Sequence, residues 1–131
     1  MHSVGKITEP PGANIRVHER DTAEALARAG YEVEFVREHH RHRIVLPDVL
    51  INGEYWEMKS PKTNKISQLE MNLKRASRQS PNIILDSQRI KDIPDDRVQK
   101  FLIERFIRRR NIKKLLFITK RREIIDISKL I

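Results

Sequence analysis

The chain has 131 residues, with 27 Lys+Arg against 18 Asp+Glu and a net charge of +9, a length that holds one domain with a real core and is too short for two. The positive excess favours a polyanionic partner over a neutral metabolite, with nucleic acid ahead of an anionic membrane surface. The absence of cysteine excludes disulfides and thiolate metal sites, and no apolar run approaches the ~20 residues of a membrane span.

The start of the chain lacks the positive-then-apolar layout of a signal peptide, so it reads as soluble, and any export is the work of another protein. Residues 1–14, with Pro10-Pro11-Gly12, show no periodicity and read as an extension or linker remnant ahead of a domain over 15–131. Ala23, Leu26, Ala27 and Gly30 then repeat at helical spacing and predict a helix over about 15–29 that ends at Gly30. Glu19 falls on its sheet-facing stripe, where a carboxylate needs a cation; the alternative is a first-turn residue that complements the helix dipole. Tyr31, Val33 and Phe35 alternate with polar residues and predict a half-buried strand.

The segment Glu38-His39-His40-Arg41-His42-Arg43 invites a zinc reading. Its three imidazoles lack helical ligand spacing, and no cysteine or second cluster completes a tetrahedron, so it reads as a solvated loop with His42 a candidate phosphate contact.

The most informative stretch is Pro47-Asp48-Val49-Leu50-Ile51-Asn52-Gly53-Glu54-Tyr55-Trp56-Glu57-Met58-Lys59. Asn-Gly between β-rich runs predicts a type I′ hairpin, because both turn positions need positive φ. In that register Val49 faces Trp56 and Asp48 falls opposite Glu57, with Lys59 two residues further on the same face. Val49, Ile51, Trp56 and Met58 form the core-facing set. Like charges about 4.5–5.5 Å apart at Cβ ask for a compensating cation: Lys59 supplies one charge, and Mg²⁺ or Mn²⁺ on hard oxygen ligands would supply the rest.

Beyond the hairpin, Ser60-Pro61 ends the strand, and Ile66, Leu69, Leu73 and Ala76 mark a helix over about 64–79. Lys74, Arg75 and Arg78 point away from its apolar stripe and are candidate backbone contacts for nucleic acid. Lys62 and Thr63, at the start of the helix, are nearer the chemistry, and Tyr55 on the polar hairpin face could stack on a base. Asn82-Ile83-Ile84-Leu85-Asp86 reads as a buried parallel strand. Asp95-Asp96 caps a third helix with Val98, Phe101, Leu102 and Phe106 facing inward, leaving through Arg108-Arg109-Arg110. Lys114–Thr119 and Glu123–Ile127 read as two final strands. Together the elements predict an α/β fold with a mixed central sheet flanked by helices.

Pro47-Asp48, an eight-residue gap and Glu57-Met58-Lys59 resemble the PD-(D/E)XK signature of restriction-endonuclease-like nucleases. The longer run from His18-Glu19-Arg20 through Gly30-Tyr31-Glu32-Val33 to Asn52–Pro61 is similar, more narrowly, to the C-terminal nuclease domain of CdiA-type contact-dependent growth inhibition toxins. The resemblance implies a restriction-endonuclease-like core and metal-dependent phosphodiester hydrolysis. Asp48, Glu57 and the Met58 carbonyl would hold one Mg²⁺ (or Mn²⁺), a second if Glu19 joins, and Lys59 would orient water and offset transition-state charge. Lys59 as a deprotonated base is opposed by its two carboxylate neighbours. The toxin resemblance implies transfer RNA as substrate, action in the bacterial cytoplasm after delivery by a larger secreted protein, and an acidic immunity protein as partner. A DNA endonuclease of the same fold from a phage or mobile element, and a non-catalytic basic nucleic-acid-binding module, stand as alternatives.

Overall fold

The computed structural model describes residues 4–36 and 48–131. The elements in order are β1 (Ile7–Thr8), α1 (Val17–Arg28), β2 (Val33–Phe35), β3 (Val49–Ile51), β4 (Glu54–Lys59), α2 (Ile66–Gln79), β5 (Asn82–Asp86), α3 (Asp95–Arg108), β6 (Lys114–Ile118) and β7 (Ile124–Asp126), followed by a 3₁₀ turn at Ile127–Lys129. Among the described residues, seven strands form one mixed sheet in sequence order. The β1–β2, β4–β5 and β5–β6 pairs are parallel, each bridged by a helix, and the β2–β3, β3–β4 and β6–β7 pairs are antiparallel. This is the expected α/β layering of a mixed sheet and helices.

The sheet has a hydrophobic cluster on each face. On one face Ala23 and Leu26 of α1 pack with Val33, Phe35, Val49, Ile51, Trp56, Met58, Ile84, Leu116 and Ile118. On the other, Leu69, Leu73 and Ala76 of α2 and Val98, Phe101 and Leu102 of α3 cover Ile83, Leu85, Leu115 and Phe117. Strand β5 is buried at every position and parallel to both neighbours, as its unbroken apolar run predicts. Because side chains alternate along a strand, Trp56 and Met58 of β4 point to the α1 side. Glu57 and Lys59, paired with Ile83 and Leu85, therefore lie on the α2 side.

The β3–β4 turn has the conformation the Asn-Gly pair dictates: φ is +49° at Asn52 and +86° at Gly53. The register follows, with Val49 opposite Trp56, Leu50 opposite Tyr55 and Ile51 opposite Glu54.

Three local expectations are revised. Residues 7–8, expected within an extension, add a short parallel edge strand; Gly5 lets the chain approach there, since a Cβ at that position would lie 1.9 Å from the Tyr31 carbonyl oxygen. Tyr31 lies before the strand it was expected to begin. Pro94, not Asp95-Asp96, takes the N-cap of α3; the two aspartates occupy its first turn, where Asp95 accepts from the Lys120 backbone N–H at 2.7 Å. Pro47 and the segment with His39, His40 and His42, expected to be a solvated loop, lie outside the described residues.

Candidate active site

The hairpin brings Asp48, Glu57 and Lys59 into one cluster. Asp48 Oδ2 accepts from the Met58 N–H at 2.9 Å, which fixes its carboxylate against β4. Its carboxylate also faces the Glu57 carboxyl, in the continuation of the hairpin register. Lys59 Nζ lies 3.3 Å from Glu57 Oε2. Glu57 is only 4% exposed because β4 is an interior strand covered on this side by α2. Burial, followed by the Asp48 charge, pushes the Glu57 carboxyl up to about 7, and Lys59 offsets part of that rise. Among the described residues the cluster is therefore two acids against one ammonium, with Glu57 retaining a proton into the neutral range.

The remaining candidates are placed as follows. Glu19 is at the third position of α1, and its Oε1 accepts from the Arg16 backbone N–H at 3.0 Å, the helix-capping role. Among the described residues no three His, Asp or Glu side chains converge to hold an ion, so Glu19 is not brought to the Asp48–Glu57 pair. Met58 is buried, with its side chain in the α1-side cluster. Tyr55 is 44% exposed and two residues from Glu57 on the same strand face. Thr63 Oγ1 accepts from the Lys65 N–H at 3.1 Å just before α2, and Lys62 is exposed beside it. Lys74, Arg75 and Arg78 are exposed on α2, as the apolar stripe predicts. His42 falls outside the described residues.

A second buried carboxylate escapes sequence reasoning. Asp86, fully buried at the end of β5, receives a fork from Arg122 (Nη1 to Oδ1 2.7 Å, Nη2 to Oδ2 2.9 Å), the Thr22 hydroxyl at 2.6 Å and the Gln88 N–H at 2.9 Å. Arg122 holds φ at +67° in the β6–β7 turn to make this fork. A polar cleft of about 350 Å³ opens beside it, lined by Asp21, Glu24 and Arg28 of α1 with Gln88, Lys120 and Arg122. The cleft belongs to the α1 side of the sheet, away from Glu57 and Lys59. Sequence reasoning also passes over Arg89, whose guanidinium donates to the Ser60 carbonyl through Nε at 3.0 Å and Nη2 at 2.6 Å. No local pattern marks either contact, because the partners lie far apart in the chain.

A comparison with curated proteins finds no match. Among solved structures the chain is similar to one in the CdiA-CT/CdiI toxin and immunity complex from Burkholderia pseudomallei, with a TM-score of 0.63 and 21% identity over 96% of this chain and 98% of that one; at that identity the likeness speaks to the fold. Residues 46–124 match the contact-dependent growth inhibition CdiA C-terminal domain, and since that match spans more than half of the chain, the protein belongs to this family.

Proposed function

We propose that the chain is the toxin domain of a contact-dependent growth inhibition protein and that it is a metal-dependent nuclease. One observation carries the reading: Asp48 and the buried Glu57, carboxyl facing carboxyl beside Lys59, make an acidic centre in a protein of net charge +9. A protein that only binds nucleic acid gains nothing from paired carboxylates near a phosphate, whereas phosphodiester hydrolysis requires them to hold a cation. The order α1, β2, β3, β4, α2, β5 agrees with the restriction-endonuclease-like core that the motif implies.

The donor set fits a hard divalent ion. Two carboxylates that must otherwise keep a proton between them are relieved by Mg²⁺ or Mn²⁺, which Asp48, Glu57 and the Met58 carbonyl would hold. When bound, the ion supplies Lewis-acid stabilisation of phosphoryl and leaving-group oxygens and a water made acidic enough to attack. The protein's own residues do the rest. The Met58 N–H fixes Asp48, α2 keeps bulk water from Glu57, and Lys59 acts as a fixed cation that orients water and offsets charge in the transition state. Lys62, Thr63 and the Lys74, Arg75 and Arg78 face of α2 would follow the phosphate backbone, and Tyr55 would meet a base.

Family membership favours transfer RNA over DNA and delivery into target cells by a larger protein. No helix among the described residues is long and apolar enough to cross a membrane. The structural neighbour was solved as a toxin with its immunity protein, which supports an acidic immunity partner that covers the basic surface here. The test incubates the protein with total transfer RNA and with supercoiled plasmid in Mg²⁺, Mn²⁺ or EDTA, beside Asp48→Ala. Metal-dependent cutting of transfer RNA that Asp48→Ala abolishes is the expected result. Cutting of plasmid alone would reassign the substrate to DNA. No cutting of either, with salt-sensitive binding intact, would leave a non-catalytic binding module.

A further inference from the structure

Lys59 is the last residue of β4, so the direction of its side chain depends on how the backbone leaves the sheet. That exit is held from one side. Arg89, just past β5, places two N–H groups on the carbonyl of Ser60, the residue next to Lys59. Two bonds onto one oxygen fix the plane of the guanidinium as well as its position. The following residues extend the grip: Thr63 bridges Ile90 in parallel pairing, and the Lys91 N–H donates to the Thr63 carbonyl at 2.9 Å. The Ser60 hydroxyl is buried without a partner among the described residues and contributes nothing to this anchoring. No carboxylate among the described residues pairs with Arg89, so its charge is committed to that carbonyl rather than to an ion pair.

We infer that Arg89 is a positioning residue for the reaction: by holding the exit of β4 it keeps the Lys59 ammonium against Glu57. The inference rests on the nuclease reading and deepens it. Arg89 itself touches neither carboxylate of the pair. Its effect runs through the Ser60 backbone, so loss of the fork should misplace Lys59 while leaving the binding surface intact.

The test compares Arg89→Ala and Arg89→Gln with wild type and with Arg97→Ala, a control in the first turn of α3. Cleavage kinetics are measured in Mg²⁺, and the Lys59 side-chain resonances are followed by NMR. Arg89→Ala is expected to lower kcat about tenfold or more with KM within about twofold. Arg89→Gln, whose amide restores one neutral bond to the Ser60 carbonyl, should recover part of the loss. The Lys59 resonances should move in Arg89→Ala and stay in place in Arg97→Ala. A raised KM with unchanged kcat and a weaker salt dependence would make Arg89 a phosphate contact and overturn the inference, as would unchanged kinetics. Should wild type cut nothing, the nuclease reading fails separately, and the Lys59 resonances alone decide: unmoved in Arg89→Ala, they overturn the positioning role. If Arg89→Ala does not fold, the same readings are taken on Arg89→Gln, where wild-type kcat and unmoved Lys59 resonances together contradict it.

Discussion

Asp86 and Glu57 lie on adjacent strands of one sheet, each almost wholly removed from water, yet their surroundings are opposite. Asp86, on the α1 side, meets a guanidinium fork, a hydroxyl and a backbone N–H, so both oxygens are matched. Glu57, on the α2 side, meets another acid and a lysine 3.3 Å away. The first arrangement ties α1, β5 and the β6–β7 turn together and leaves nothing for a ligand to supply. Among the described residues the second has one ammonium for two carboxylates, and a group left in that condition by its surroundings is where chemistry is expected. The same element type thus serves architecture in one place and, on our reading, catalysis in the other.

The sharpest way to break this comparison is to remove the partner of each acid. Arg122→Ala strands Asp86 as an uncompensated buried charge and should cost about 3–5 kcal/mol in urea unfolding, while the folded fraction retains its specific activity. Asp48→Asn does the reverse. It keeps an acceptor for the Met58 N–H but removes a charge, so cleavage should fall by about 10²–10³-fold or more with stability held within about 1 kcal/mol. A large stability loss in Asp48→Asn would make the pair architectural after all.

The raised Glu57 carboxyl gives a third, smaller effect with a definite sign. In the unfolded chain this group titrates near 4.5 and in the folded protein near 7. Between those values the native state holds a proton that the unfolded state has released, so stability falls as pH rises through the window, by at most ~1.4 kcal/mol per pH unit. Asp95 and Glu70, both held below the ordinary carboxylate range, act at lower pH and in the opposite sense: burial, which would raise each, is outweighed by Lys120 together with Ser87 for Asp95 and by Arg109 with Arg105 for Glu70. The wild-type minus Glu57→Gln difference in urea midpoint across pH 4.5–7 isolates the Glu57 contribution; a flat difference would contradict the burial argument. The smallest expected effect is at the exposed Lys114–Glu54 pair, where Lys114→Ala should change stability by no more than about 1 kcal/mol in the same urea assay.

What could be read from the chain was what its local chemistry determines. Asn52-Gly53 set the hairpin turn, and the turn set the register that opposes Asp48 to Glu57 with no further information. The apolar run at Ile83–Leu85 announced a strand buried on both faces, and the helical stripes of α2 and α3 announced their inward residues. The illegible contacts join distant segments. Arg122 reaches Asp86 across 36 residues and Arg89 reaches Ser60 across 29, and neither arginine differs locally from the other basic residues of its loop. Glu19 was ambiguous for a related reason. One helix position served equally for a site facing the sheet or for the helix terminus, and the Arg16 N–H took it. The edge strand at Ile7–Thr8 is too short for a periodicity to show and exists only because β2 is there to pair with it.

The central claim is that the Asp48–Glu57 pair is built for a divalent cation, and titration of Mn²⁺ into the protein at pH 6.5, followed by calorimetry in buffers of different ionisation enthalpy, tests it most directly. The account predicts binding to wild type with release of a proton from Glu57, and binding weakened in both Asp48→Asn and Glu57→Gln. Binding that is undiminished in those variants, or no binding at all, would contradict it.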